Sequence, residues 1–441
     1  MTAFANMTRS ELKVELDALR TEYNEFKAKD LRLNMARGKP EAAQFDLSTP
    51  MLTNIATAQD CFSEDGTDCR NYGILDGLPE AKRLMAVMLD TEPENVFIYG
   101  NSSLLAMYDT ISRIMRFGVG DGKPWSSYKH GIKWICPVPG YDRHFAICEE
   151  FGIDMISVPL LEDGPDMDMV EALVASDATI KGMWCVPKYS NPSGITYSDE
   201  VVHRLAKMST AADDFRIFWD NAYSVHHLYG PKRQDKLMDI EKACNEAGHP
   251  NRYYKFASTS KVTFSGAGIA AIATSPRNLA DELTHLSLQT IGFDKINQLR
   301  HARFLKDAEG IANHMAKHAE ILRPKFELVQ ERLKDGLQDV TEASWSKPNG
   351  GYFVSFNAPR HTAMRIVTLA KEAGVVLTSA GATWPYGKDP RDSNIRIAPT
   401  MPPIEDLDMA LSVFICCVKI AYAEKLLGEH FENQESEGFF A

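Results

Sequence analysis

The chain has 441 residues, 44% hydrophobic and 24% charged, the balance of an ordinary globular protein with room for a large core and more than one domain. Its net charge is −12 and its Lys and Arg residues are dispersed, which excludes a nucleic-acid or anionic-membrane surface and leaves a small molecule or another subunit as partner. Eight scattered cysteines with no C-x-x-C pair read as reduced thiols in a cytoplasmic protein, and the opening "MTAFANMTRS" has neither the basic nor the apolar region of a secretion signal.

In chain order, Thr8 to Glu11 spells a capping box, and Leu12, Leu16, Leu19, Tyr23 and Phe26 then recur on one face, predicting a helix to Asp30. The following segment to Pro50, with "ARGKP" at 36–40, reads as loop. Over residues 70–290 the apolar runs "NVFIYG", "KWICPV", "MISVPL", "GMWCVP", "FRIFWD", "YYKFAS" and "GIAAIAT" alternate with helical patterns, which predicts an α/β fold with a mostly parallel sheet and helices on both faces. A helical region from about Ile296 to Leu337, interrupted or kinked near Pro324, comes next. Strand-like "GGYFVSFNA", "GVVLTSAG" and "SNIRIAPT" follow, then a helix over 404–426 and a frayed tail "ENQESEGFFA".

Ligands of open α/β sheets bind at the carboxyl ends of the strands, so the polar residues there carry weight. After Tyr99, Gly100 and Asn101 lead into Ser102 and Ser103 at the start of a helical pattern; this reads either as a serine cap or as a cradle of hydroxyls and free N–H groups for a phosphate. "NPSG" at 191–194 is a turn by composition, or a place from which the Asn191 amide reaches a ligand oxygen. Asp220 closes "FRIFWD", where a carboxylate leaving a buried strand needs a cation or several donors; it caps the next turn of chain or holds a protonated ring nitrogen, with Tyr223 nearby. The adjacent His226 and His227 match no spaced metal motif.

Lys261 stands in "ASTSKVTFSGAG" among small, hydroxylated and apolar residues, with no acid near it in sequence. An ammonium left there costs several kcal/mol. A lysine that forms an imine with an aldehyde escapes that cost, and desolvation lowers its amine pKa, which such chemistry uses. A phosphate cradle, a carboxylate for a ring nitrogen and an imine-forming lysine together describe pyridoxal 5′-phosphate.

From "ARGKP" to "SNIRIAPT" the chain resembles class I aminotransferases of the fold-type I pyridoxal-phosphate superfamily, and more closely a bacterial aspartate-aminotransferase-like subgroup. The resemblance implies that Lys261 of "STSK" is the Schiff-base lysine and Ser258 a phosphate ligand; that Asp220 of "DNAY" partners the pyridine nitrogen; and that Tyr223 and Asn191 bind the cofactor O3′. It further implies that Tyr141 of "PGYDRH" lies over the cofactor ring, that Arg396 clamps the substrate α-carboxylate, and that Gly38 belongs to a loop closing over substrate. Tyr72 of "NYGILDG" would reach the phosphate of a neighbouring subunit, which implies a homodimer with shared active sites. The family's arginine shortly after the lysine, which pairs with the phosphate, is missing from "KVTFSGAGIA".

The resemblance also implies the division of the chain: 1–50 as an N-terminal helix and loop joining a smaller α+β domain, 51–300 as a large cofactor-binding domain, and 301–441 as a long connecting helix and the small domain. The implied activity is ping-pong transamination between an amino acid, L-aspartate first, and 2-oxoglutarate, with Arg37 or Lys39 for the distal carboxylate. The rivals are an aromatic or 2-aminoadipate aminotransferase, with Trp384 and Tyr386 lining an apolar pocket, and a pyridoxal-phosphate lyase on the same fold. A ligand-sensing DNA-binding regulator is disfavoured because the N-terminal segment is short and not basic.

Overall fold

In the computed structural model, which describes residues 3–428, the first helix starts at its capping box. Helix α1, Arg9–Ala28, begins after Thr8, whose hydroxyl accepts the Glu11 N–H at 3.3 Å while the Glu11 carboxylate accepts the Thr8 N–H at 2.7 Å. The five apolar residues of its stripe are all buried. The stretch expected to be loop instead holds strand β1, Leu33–Asn34, and helix α2, Ala42–Asp46. Both are too short to carry a hydrophobic period: β1 exists through parallel pairing with Val375–Val376, and α2 through reciprocal capping between Glu41 and Gln44.

The alternation continues through α3 (Pro79–Leu89), β2 (Val96–Ile98), α4 (Ser103–Phe117), β3 (Lys133–Val138), α5 (Asp142–Glu150), β4 (Asp154–Pro159) and α6 (Met167–Ser176). It runs on through β5 (Ile180–Cys185), α7 (Asp199–Lys207), β6 (Arg216–Asp220), α8 (Ile240–Glu246), β7 (Tyr253–Ser258) and β8 (Ala270–Thr274). These strands form a seven-stranded sheet in the order β2-β8-β7-β6-β5-β3-β4. Every pair is parallel except the two made by β8, which runs against both β7 and β2. Two reversals restore direction, so the carboxyl end of β2 lies at the same edge as those of the parallel strands.

Side chains alternate between the faces, as the strand period of two requires. Along β6, Phe218 packs with Trp134, Trp184 and Phe256, while Ile217 and Trp219 pack on the other side with Ile135, Met183 and Val202. Helices cover both faces, α4 and α5 on the first and α6 and α7 on the second.

After α9 (Pro276–Gln289) and α10 (Lys295–Leu305) the chain turns at Lys306, whose φ is +65°, and enters α11 (Ala308–Gly336). The helical region is not interrupted at Pro324, which lies inside α11; the break comes earlier, at Asp307, whose side chain accepts the Gly310 N–H at 2.9 Å as an N-cap. The 300/301 division falls within α10. The remainder holds β9 (Ser344–Trp345), β10 (Val354–Asn357), α12 (Ala363–Glu372), β11 (Val375–Val376), β12 (Asn394–Ile397) and α13 (Ile404–Leu427). An antiparallel sheet of order β12-β10-β9 shares a core with α1, α11, α12 and α13, through Leu16, Leu333, Phe356, Leu369 and Phe414 among others. "GVVLTSAG" yields only the two residues of β11. The stretch "ENQESEGFFA" lies outside the described residues, among which no helix is long and apolar enough to cross a membrane.

Replacing Asp307 by Ala removes the cap that starts α11 and is expected to cost about 1 kcal/mol, read as a lower urea midpoint. An unchanged midpoint contradicts the assignment of the break to that cap.

Candidate active site

The carboxyl edge of the large sheet collects the polar residues that close its strands. β6 ends on Asp220, the β7–β8 connection carries Lys261, the segment after β5 carries Asn191, that after β3 carries Tyr141, and that after β2 carries Gly100 to Ser103. Because β7 and β8 are antiparallel neighbours, residues 259–269 return directly without a crossover helix, and the lysine stays at the edge.

Asp220 is 3% exposed. Its Oδ2 lies 3.0 Å from Nε2 of His144, on α5, while its Oδ1 is buried with no partner. His144 is held by stacking on Trp184 at 4.2 Å between centroids and by an edge contact with Tyr141 at 5.0 Å. The Lys261 Nζ lies 5.0 Å from the centroid of the buried Tyr223 ring and 6.0 Å from that of Tyr352. Desolvation pulls the Lys261 pKa below the ordinary lysine value; Asp220 acts in the opposite direction and Arg396 adds to the lowering. Burial likewise pushes the Tyr141 and Tyr223 phenols up, so both stay protonated donors at neutral pH.

The backbone of Lys261 is fixed from behind. Its carbonyl oxygen lies 3.3 Å from Nε2 of His226 and 3.4 Å from the Tyr352 hydroxyl, which in turn accepts the Gln44 amide at 2.9 Å. Burial, then the Lys261 charge, holds the His226 pKa well below the usual value, so the ring is neutral and the Nε2–H tautomer suits the carbonyl. His227 is occupied elsewhere, 2.7 Å from the Tyr189 hydroxyl.

At the β2 end, Gly100 adopts φ +55°, the left-handed region that suits glycine, and the chain then turns into α4. Ser102 does cap that helix, accepting the Leu105 N–H at 3.3 Å, and Ser103 is its first residue. The serines of "STSK" face this turn: Ser258 Oγ is 3.0 Å from Ser260 Oγ, which donates to the Asn101 carbonyl at 3.5 Å. A Cβ on Gly268 would stand 3.1 Å from Thr259 Oγ1 and 3.2 Å from the Asn101 oxygen. The loop after Lys261 is pinned by Asn297 of α10, whose amide donates to the carbonyls of Ala267 and Gly268 at 3.0 Å each.

Arg396, in β12, enters from the smaller sheet and is 6% exposed. Its Nη1 donates to Asp142 Oδ1 at 2.8 Å and to Asn191 Oδ1 at 3.3 Å, its guanidinium sits 4.9 Å from the Phe353 ring centroid, and its Nε has no partner. Gly38 approaches the same ring: a Cβ there would lie 2.5 Å from Phe353 Cζ. Arg37 and Lys39 beside it are not buried. Tyr72 is 82% exposed within one chain. Tyr386 is half exposed and accepts the Met155 N–H at 3.0 Å on β4, so its hydroxyl is engaged at the outer edge strand.

Sequence reasoning passed over His144, Asp142, Tyr352 and Phe353. The first two lie inside the quoted "PGYDRH", and a helix starting at Asp142 sets His144 near Tyr141; the other two follow the glycines of "GGYFVSF". In chemical terms the edge offers a carboxylate oxygen lacking a donor, a desolvated amine, two protonated phenols, a hydroxyl-lined turn and a half-engaged guanidinium.

The model of the aspartate amino-transferase family matches residues 7–430, and the chain belongs to that family. It is 46% identical to an aspartate aminotransferase of Corynebacterium glutamicum over 94% of each chain. A crystal structure of an aspartate transaminase from C. glutamicum superposes with a TM-score of 0.92 at 44% identity, covering 96% of this chain and 99% of that one. The α-aminoadipate aminotransferase of Thermus thermophilus shares the fold alone, at 19% identity and a TM-score of 0.70 over 92% of this chain and 95% of that one. The protein is thus an aminotransferase of fold type I, and its cofactor is pyridoxal 5′-phosphate.

In cofactor-free protein, the pH midpoint for modification of Lys261 by an amine-selective reagent is expected below that of ordinary lysines. Arg396→Gln removes a repelling charge and moves it up, and Asp220→Asn removes an attracting one and moves it down. A midpoint that ignores both substitutions contradicts the coupling.

Proposed function

We propose that this protein transfers the amino group of L-aspartate to 2-oxoglutarate in ping-pong order, the first oxo acid leaving before the second enters. The observation that carries the reading is the pairing, at one edge, of a buried carboxylate oxygen with no donor (Asp220 Oδ1) and a desolvated amine (Lys261). When bound, pyridoxal 5′-phosphate supplies an aldehyde that takes up amino groups and a protonated ring that accepts electrons.

The chain's own residues fit that group. Asp220 Oδ1 would accept the ring N–H, with His144 on Oδ2 holding the carboxylate in orientation. Because the Asn191 amide oxygen faces Arg396, its NH₂ is left as a donor to the phenolic ring oxygen, beside the Tyr223 hydroxyl. Tyr141 would cover the ring, and Gly100, Asn101, Ser102, Ser103 and Ser258 would hold the phosphate. The Lys261 amine, uncharged at lower pH than an ordinary lysine, takes the substrate Cα proton as general base and returns it one carbon away. Arg396 binds the α-carboxylate through the donors that Asp142 and Asn191 leave over, Nε included. Gly38 lets the "ARGKP" loop approach the Phe353 ring against which Arg396 rests.

Preference for aspartate is supported by the name of the 46%-identical C. glutamicum relative, and the cation assigned to its distal carboxylate is the exposed Arg37, next to Gly38. Engagement of Tyr386 with Met155 weighs against an aromatic pocket built on that ring. The exposed Tyr72 supports a homodimer in which each subunit completes its neighbour's phosphate site, and the eight unpaired cysteines support a cytoplasmic setting.

One kinetic series tests the reading. Lys261→Ala is expected to abolish turnover, and Arg37→Gln to raise the aspartate KM far more than that of a neutral amino acid. Normal turnover without the lysine overturns the catalytic assignment, and equal effects on both donors overturn the role of Arg37.

A further inference from the structure

At the opposite end of the large sheet, where β5, β6 and β7 begin, lies a cavity of about 640 Å³. Five cationic side chains line it (Lys123, Lys181, Arg216, Arg252 and Arg277) against three acidic ones, Asp121, Asp213 and Asp214. In a chain of net charge −12 this excess of cations is unusual in sign.

Most of these charges have partners. Lys181 meets Asp214 at 2.6 Å, and the other Asp214 oxygen accepts the Trp125 indole N–H at 2.8 Å. Arg277 meets Asp121 at 2.6 Å on the exposed rim. Arg252 donates to the carbonyls of Ala206 and Met208 at 2.9 and 2.8 Å, closing the end of α7. Arg216, the first residue of β6, is different. It is 6% exposed, its one hydrogen bond is from Nη1 to the neighbouring Phe215 carbonyl at 3.0 Å, and its Nε is buried without a partner. Tyr254, Asp214 and Asp281 favour its charge from a distance while Arg277 opposes it, and it in turn disfavours the charge on Arg252. Burial lowers its pKa, yet a guanidinium does not lose its proton in proteins. A buried cation with an unmet donor is costly, and an oxyanion is the group whose geometry matches it.

We propose that this cavity is a second ligand site, which takes a small, multiply charged phosphate-type oxyanion with Arg216 as its buried partner and Lys123 and Arg277 at its rim. Such a site stands apart from the catalytic edge and is independent of the reaction assigned there. Its occupancy stabilises the fold by mass action, since the binding groups converge only in the folded chain.

The test uses the cofactor-loaded protein, so that the catalytic phosphate site is filled. Pyrophosphate is titrated while Tm is followed, with potassium chloride at matched ionic strength as control and a nucleoside diphosphate as a second arm. A saturable rise in Tm above the chloride control is expected; a rise with pyrophosphate assigns the site to the free anion, and one with the nucleotide alone assigns it to a nucleoside-borne diphosphate. Arg216→Met should abolish the rise while leaving Tm in anion-free buffer unchanged or higher, because it removes an unpaired buried charge. Should that variant fold poorly, Arg277→Gln at the rim is expected to weaken the midpoint by roughly tenfold, the effect of one charge-assisted bond. A Tm that tracks ionic strength alone, or a rise that survives both substitutions, overturns the proposal.

Discussion

The structure depends on one electrostatic constraint, a carboxylate and an amine held together at the edge of a sheet with neither fully compensated. Asp220 leaves a buried strand with one oxygen on His144 and the other without a donor, and Lys261 sits where desolvation outweighs the attraction of that same carboxylate. Isolated, each is an unfavourable group that folding must offset. The surrounding architecture supplies the offset through rigid, already satisfied neighbours: Trp184 stacks behind His144, and His226 and Tyr352 hold the backbone of Lys261 by its carbonyl. A ring nitrogen and an aldehyde complete what the protein leaves open, so cofactor and fold stabilise each other.

A second theme is how the smaller sheet reaches this edge. Arg396 belongs to β12, yet its donors are directed to Asp142 and Asn191, both carried by segments that come after strands of the large sheet. Phe353 lies beneath the guanidinium, and Gly38 from the N-terminal segment presses on the same ring. A side chain at position 38 would collide with that ring, so the glycine is a matter of space. Three distant stretches of chain thus meet on one aromatic platform, and motion of any of them alters the position of the clamp.

Much of this was legible in sequence because charge at the end of an apolar run is a strong local signal. Asp220 after "FRIFW" and Lys261 after "YYKFASTS" stand out for that reason, and the alternation of strands and helices survives with strand ends shifted by up to two residues. What escaped was set by tertiary contact. His144 lies 76 residues from Asp220, and nothing local marks it as a carboxylate partner. β1 and β11 are two residues each and exist only through each other. Pro324 is the louder helix breaker by composition, yet the quieter Asp307 cap decides where the long helix begins. Arg216 is hidden in the same way, one letter in an apolar word whose isolation appears only when the surrounding charges are located in space.

The account is tested most directly by a single turnover of the cofactor-loaded protein with L-aspartate alone, following the cofactor absorbance and the released product together. It predicts loss of the yellow band with one equivalent of oxaloacetate per site and restoration of the band by 2-oxoglutarate. Release of ammonia in place of an amino group retained on the enzyme, or a band that no amino acid discharges, would contradict it.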